Sequence, residues 1–207
     1  MTSTLLTSVA ATGFAVAFLH AALPTHWLPF VLVARAREWS MKKTLGVTAL
    51  AGVGHVVVTV LLGVALTALG LVIRPQLGAV FPYVVGGLLI AIGVLQVLRH
   101  RHAHAAKTPD RRLSDGGAAL ALVALLALSP SEAFLPLFLA NIEHGWPGFA
   151  LLSAVLAAAT ILGMLLFTGL TAAGAARLNL GALERYEGAI LGVALCGLGL
   201  GVILLEG

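Results

Sequence analysis

FLHAALPTHWLPF, residues 18–30, sets two histidines and two prolines in a run whose only other polar side chain is Thr25. A second interruption of the same kind follows in ALAGVGHVVVTVLLG, residues 49–63, where His55 stands in an aliphatic stretch. Both runs are long and apolar enough to cross a bilayer. A charged side chain at bilayer depth costs about 2.5–3.5 kcal/mol on insertion scales, so titratable groups there turn toward a bundle interior, a water path or an ion. A neutral imidazole is cheaper than a charge and is the commonest metal ligand in proteins. The stretch therefore reads as part of a helical membrane protein with a buried ion site.

Composition supports the membrane class. Of 207 residues, 60% are hydrophobic and 10% charged, and the mean hydropathy is +1.06. A soluble domain carries roughly 25% charged residues, and a bilayer-length helix needs about 20 largely apolar ones. Apolar runs at about 4–33, 44–72, 77–98, 117–140, 149–176 and 187–205 predict six spans and leave no room for a soluble domain. The N-terminus lacks the basic segment of a cleaved signal peptide, so it is expected to belong to the first helix. A single cysteine, Cys196, excludes an intramolecular disulfide and a dithiol relay.

The pI near 9.8 does not predict a nucleic-acid partner, because the basic residues follow topology. If the runs alternate, Arg35, Arg37, Lys42, Lys43, Arg99, Arg101, Lys107, Arg111, Arg112, Arg177 and Arg185 share one side and Arg74 stands on the other. The positive-inside rule makes the first side cytoplasmic. The expectation is a multi-pass protein of the cytoplasmic (inner) membrane, in contact with the lipid bilayer, with both termini outside.

The polar segment 99–116 divides the chain into a first three-helix unit, 1–98, and a second, 117–207. The units share a pattern. Pro24-Thr25-His26, Pro29 and Trp39 in the first correspond to Pro130-Ser131-Glu132, Pro136 and Trp146 in the second. Glycine-marked stretches follow, ending at Gly63 and Gly169. Alternation would relate the units by inversion, an architecture of secondary transporters with interrupted midplane helices. The predicted fold is thus all-α, an inverted three-plus-three repeat with proline-broken helices one and four. Pro24 lacks the N–H that would bond the His20 carbonyl, and Pro136 likewise frees the carbonyl of Glu132. A freed carbonyl in lipid must meet protein, water or an ion.

His20 and His26 lie about 240° apart on an unbroken helix; a break at Pro24 lets both turn toward one point. His55 falls close to mid-membrane, and Glu132 is the only carboxylate deep in any run. His20, His26, His55 and Glu132 form a candidate first shell for a divalent transition metal of the Ni, Co, Zn or Fe class. The same residues admit plainer roles. Ser129-Pro130-Ser131-Glu132 reads as a capping box opening a helix. His55 suits an interhelical hydrogen bond, and Trp27 beside His26 suits an interfacial anchor. His100, His102 and His104 read equally as a metal-binding tract and as a solvated basic loop. Glu143 and His144 suit a vestibule or a polar turn. Gly188, Gly192, Gly197 and Gly201 suit close helix packing, within the bundle or between subunits of a homo-oligomer.

His20-Ala21-Ala22-Leu23-Pro24-Thr25-His26 resembles the first signature of the NicO-type nickel/cobalt permeases and their HupE/UreJ relatives, and Gly54-His55-Val56-Val57-Val58 is similar to the second. The resemblance covers about the first sixty residues. It implies His20, His26 and His55 as metal-contacting residues and a metal cation as the transported substrate. The signature often carries aspartate before the second histidine, where this chain has Thr25. Transport of a divalent transition-metal cation is the expected function. Two alternatives use the same histidines: a membrane metalloenzyme with an open coordination position, and a proton-coupled transporter of a small organic or anionic substrate.

Overall fold

The first apolar run is two helices, α1 (Ser3–Ala21) and α2 (Pro24–Ala36), separated by a break at Ala22 and Leu23. Pro24 opens α2, where a missing N–H costs nothing because the first turn has no intrahelical acceptor for it. The His20 carbonyl that a proline was expected to free is taken by the Leu23 N–H at 3.1 Å. The Trp27 indole closes the break by donating to the Ala22 carbonyl at 3.0 Å. Trp27 is fully buried, so it staples this break and is not an interfacial anchor.

The computed structural model is all-α and describes residues 3–99, 113–129, 131, 134–174, 189, 192–193, 195–197 and 199–204. After α2 come α3 (Met41–Leu77), a 3₁₀ turn and α4 (Phe81–Arg99), then α5 (Asp115–Ala127), the short α6 (Leu135–Ala140) and α7 (Gly145–Ala172). A C-terminal helix, α8, includes Leu195–Leu204. Glu132, Pro130 and the loop histidines His100, His102 and His104 lie outside the described residues.

Helix α3 shows why these elements suit lipid. Its buried face is Thr44, Thr48, Ala51, Gly52, His55, Thr59, Gly63, Thr67 and Gly70. Its exposed positions include Leu50, Val53, Val57, Leu61, Leu69 and Val72. Polar and small residues inside with branched aliphatics outside reverses the pattern of a helix in water. Inside, Thr44, Thr48 and Thr59 return their hydroxyls to the carbonyl four residues back, which satisfies them without a neighbour. Three stretches are long and apolar enough to cross a membrane: Gly13–Ala36, Met41–Leu95 and Ile142–Ala172. Asp115–Ala127 and Leu195–Leu204 are apolar but shorter.

Side-chain register gives the directions. Gly13 lies against Leu152 and Gly163 against Ala21, so α1 and α7 run parallel. Gly52 faces Ile161 and Met164 while Gly70 faces Ile142, so α3 runs antiparallel to both. Gly54 meets Ala127, and Lys43 meets Asp115, so α5 follows α3. The interrupted segments α1–α2 and α5–α6 therefore run in opposite directions. The glycines that close the two repeated patterns are not in equivalent contacts: a Cβ at Gly63 would run into the Phe138 ring, whereas one at Gly169 would stand 3.8 Å from the Leu45 side chain.

Helices α4 and α8 pair antiparallel. Gly93 faces Gly192 and Gly86 faces Gly199, each pair reciprocally, whereas a Cβ at Gly197 or Gly201 would meet nothing within 4 Å among the described residues. The close contact thus repeats every seven residues; Gly188 lies outside the described residues.

One end of the bundle is tied by charge. Serines cap the helices there, Ser40 accepting from the Lys43 N–H and Ser114 from the Gly117 N–H. Arg35 donates to the Thr171 carbonyl at 2.8 Å, at the end of α7 where carbonyls lack helical partners. The turn from α2 to α3 places Glu38 in the left-handed region at φ 53°, with the Trp39 N–H bonded to the Ala34 carbonyl, a helix end usually built on glycine. Asp115 bridges Lys43 at 2.6 Å and Arg37 at 3.2 Å. The Lys43 ammonium, with Arg37 adding to it, holds the Asp115 carboxyl down at about 2 from its ordinary value of 3.8. A depressed carboxyl contributes stability that is complete above its unfolded value and disappears as pH falls through its folded one. Between about pH 4 and pH 2 the native protein should lose thermal stability faster than Asp115→Asn. Parallel midpoints for the two proteins across that window would show that the bridge contributes nothing. At the other end Arg74 pairs with Glu143.

Candidate metal centre

Three elements bring the histidines together. His20 ends α1, His26 stands in the first turn of α2, and His55 lies midway along α3. The break between α1 and α2 removes the six-residue helical offset that would send the first two rings to different faces. Their ring centroids are 4.3 Å apart, and His26 is 5.4 Å from His55. All three are buried, His55 at 1% exposure and the others at 7%. One ring nitrogen from each lies within 4.8 Å of the others.

That spacing can be set against a coordination shell. Metal–nitrogen bonds of 2.0–2.1 Å in a tetrahedral site put ligand nitrogens about 3.3 Å apart. The widest pair would close by roughly 1.5 Å on that geometry, within the reach of imidazole rotation.

Each ring uses one nitrogen on its surroundings. The His20 Nε2 lies 2.6 Å from the Ser131 hydroxyl, the His55 Nδ1 lies 3.2 Å from the Leu126 carbonyl, and the His26 Nδ1 lies 3.2 Å from the Thr25 hydroxyl. The His20 Nδ1 and the His55 Nε2 are buried and have no hydrogen-bond partner among the described residues. A buried polar atom left unmade costs on the order of 1–3 kcal/mol. Two such atoms beside a third imidazole are a donor set for a borderline divalent cation. Ligating histidines ordinarily pass their second nitrogen to an outer partner in this manner.

The interrupted second segment closes the site. Ser131 lies between α5 and α6 and donates its backbone N–H to the Thr59 hydroxyl at 3.3 Å, while that hydroxyl donates to the His55 carbonyl at 2.8 Å. The Phe134 ring packs 5.0 Å from His20. The helix after this break begins at Leu135, with Phe134 as its N-cap residue, and the Ser129 N–H turns back to the Leu126 carbonyl. Pro130 and Glu132 of the expected capping box lie outside the described residues. Ser131 is seated on α3 and His20. Sequence reasoning placed Ser131 in that cap and passed over Thr59. The available signal was Thr59's position four residues beyond His55, on the same face.

His20, His26 and His55 thus converge as their positions predict. Glu132, the fourth expected ligand, falls outside the described residues, and nothing described replaces it. Compared with known protein families, curated proteins and solved structures, the chain matches none.

Proposed function

We propose that this chain is an integral membrane protein that moves a divalent transition-metal cation across the cytoplasmic membrane. The observation that carries the reading is the trio of ring nitrogens within 4.8 Å, buried where two oppositely directed interrupted helices meet. Nitrogen donors without a thiolate suit Ni, Co, Zn or Fe(II) better than Cu(I) or the hard cations Mg and Ca. The imidazoles would replace part of the hydration shell, and Glu132 would offset part of the charge.

The six-span, inverted three-plus-three arrangement belongs to this proposal. Its support is the opposite run of α1–α2 and α5–α6 and the meeting of their breaks. The basic end holding Arg35, Arg37 and Lys43 is then cytoplasmic, and both termini lie outside. The likeness of the two histidine signatures to NicO-type permeases agrees with this reading. Rocking one unit against the other about the histidines would expose the site to each side in turn.

Transport is tested in proteoliposomes enclosing a metal-sensitive dye. Purified protein should speed entry of Co(II) or Ni(II) well above protein-free vesicles, and His26→Ala should return the rate to that background. Vesicles whose protein retains bound metal but passes none would end the transport reading while leaving the site intact.

A further inference from the structure

We infer that Leu126, near the end of α5, sets the tautomer of His55 and that Ser131, beyond that end, is the positioning residue for His20, so that a cation is held by Nδ1 of His20 and Nε2 of His55. The inference rests on the cation-site reading and adds which atoms bind and what orients them.

His55 is decided by its partner. The Leu126 oxygen is a peptide carbonyl and can only accept, so the His55 Nδ1 that approaches it at 3.2 Å carries the proton. In a neutral ring the lone pair is then on Nε2, and Nε2 is the buried atom without a partner. Thr59 holds this turn of α3 by donating to the His55 carbonyl, and it receives the Ser131 N–H.

His20 requires a choice, because the Ser131 hydroxyl can donate or accept. If the hydroxyl donates to Nε2 at 2.6 Å, the ring proton sits on Nδ1, a buried N–H with no acceptor among the described residues. If Nε2–H donates to the hydroxyl, the buried atom is a bare lone pair. On the cation-site reading the second arrangement is favoured, because it is the only one that presents a lone pair to a cation.

The test is nitrogen NMR of full-length, ¹⁵N-histidine-labelled protein in nanodiscs, assigned by omitting one histidine at a time. Without added metal, the expected tautomers are Nε2–H for His20 and Nδ1–H for His55. With ¹¹³Cd(II) as the probe, coupling is expected to Nδ1 of His20 and Nε2 of His55. Ser131→Ala should redistribute the His20 tautomers, leave His55 as it was and weaken Co(II) binding about 10–100-fold, the usual cost of an outer-shell partner. Ser131→Thr should restore both. An Nδ1–H proton on His20 in the unmutated protein, or cadmium coupling to its Nε2, overturns the inference even if Ser131→Ala does not fold. Protein that shows the expected tautomers yet takes up no Cd(II) or Co(II) would instead overturn the cation-site reading.

Discussion

Replacing His20 and His55 together by alanine should abolish stoichiometric metal binding, lowering Co(II) affinity by well over the ~10–100-fold that losing a single outer-shell partner costs. The two substitutions remove the two nitrogens that are buried without a partner, leaving His26 as the only described imidazole at the site. A single imidazole has no chelate to hold an ion against water. Fold loss can be separated from ligand loss by linkage. A ligand bound only by the native state adds about 2.7 kcal/mol at a hundredfold excess over its dissociation constant. Cobalt should therefore raise the thermal midpoint of the unaltered protein and leave that of the double variant where it was. Without metal, the variant gives up the bonds to Ser131 and Leu126 but also sheds two uncompensated polar atoms, so its own midpoint should fall only modestly. An undiminished cobalt response in the folded double variant would remove the histidines from the ligand set.

The second large effect is expected far from this site. Gly93→Leu should destabilise the protein by about 3 kcal/mol, the upper part of the usual range for overpacking. A Cβ at Gly93 would stand 2.6 Å from the Gly192 carbonyl oxygen and 2.7 Å from the Cys196 sulfur. The reciprocal Cβ at Gly192 would stand 2.5 Å from the Gly93 carbonyl oxygen. Backbone atoms cannot rotate away as a side chain can, so α4 and α8 must separate. The better helix propensity of leucine returns only about 1 kcal/mol of this. Lipid supplies no hydrophobic drive to bring the helices back, because association in a membrane depends on close packing. Gly197→Ala is the matched control: the added Cβ meets nothing within 4 Å among the described residues, so it should be neutral or slightly stabilising. The comparison is made by unfolding in mixed micelles with increasing SDS. Coincident curves for Gly93→Leu and Gly197→Ala would mean that the paired glycines do not touch.

The C-terminal glycines show where one-dimensional evidence stops. Spacing identifies which residues share a face, but a pairing needs a second helix and its register. Gly192 belongs to the α4 contact because Gly93 faces it, whereas a Cβ at Gly197 would meet nothing within 4 Å among the described residues, although each has a glycine four residues away. Ser131 illustrates the same point in the site. Its local sequence is that of a helix start, and the capping energies that make such a pattern readable are about 1 kcal/mol. Its bonds to Thr59 and His20 come from two other elements, which the local sequence does not reveal.

What this sequence determined unaided was the solvent and the candidates. Transfer free energy is summed residue by residue, so sixty per cent hydrophobic content and a few stranded imidazoles are legible without any structure. Proline chemistry likewise placed the first interruption within two residues of Leu23, because a missing N–H acts on its own turn. Only the tertiary structure decided that three rings converge, that the His20 Nδ1 and the His55 Nε2 have no partner among the described residues, and which glycines meet. Those outcomes depend on the distance and direction between segments dozens of residues apart, and no local free energy encodes either.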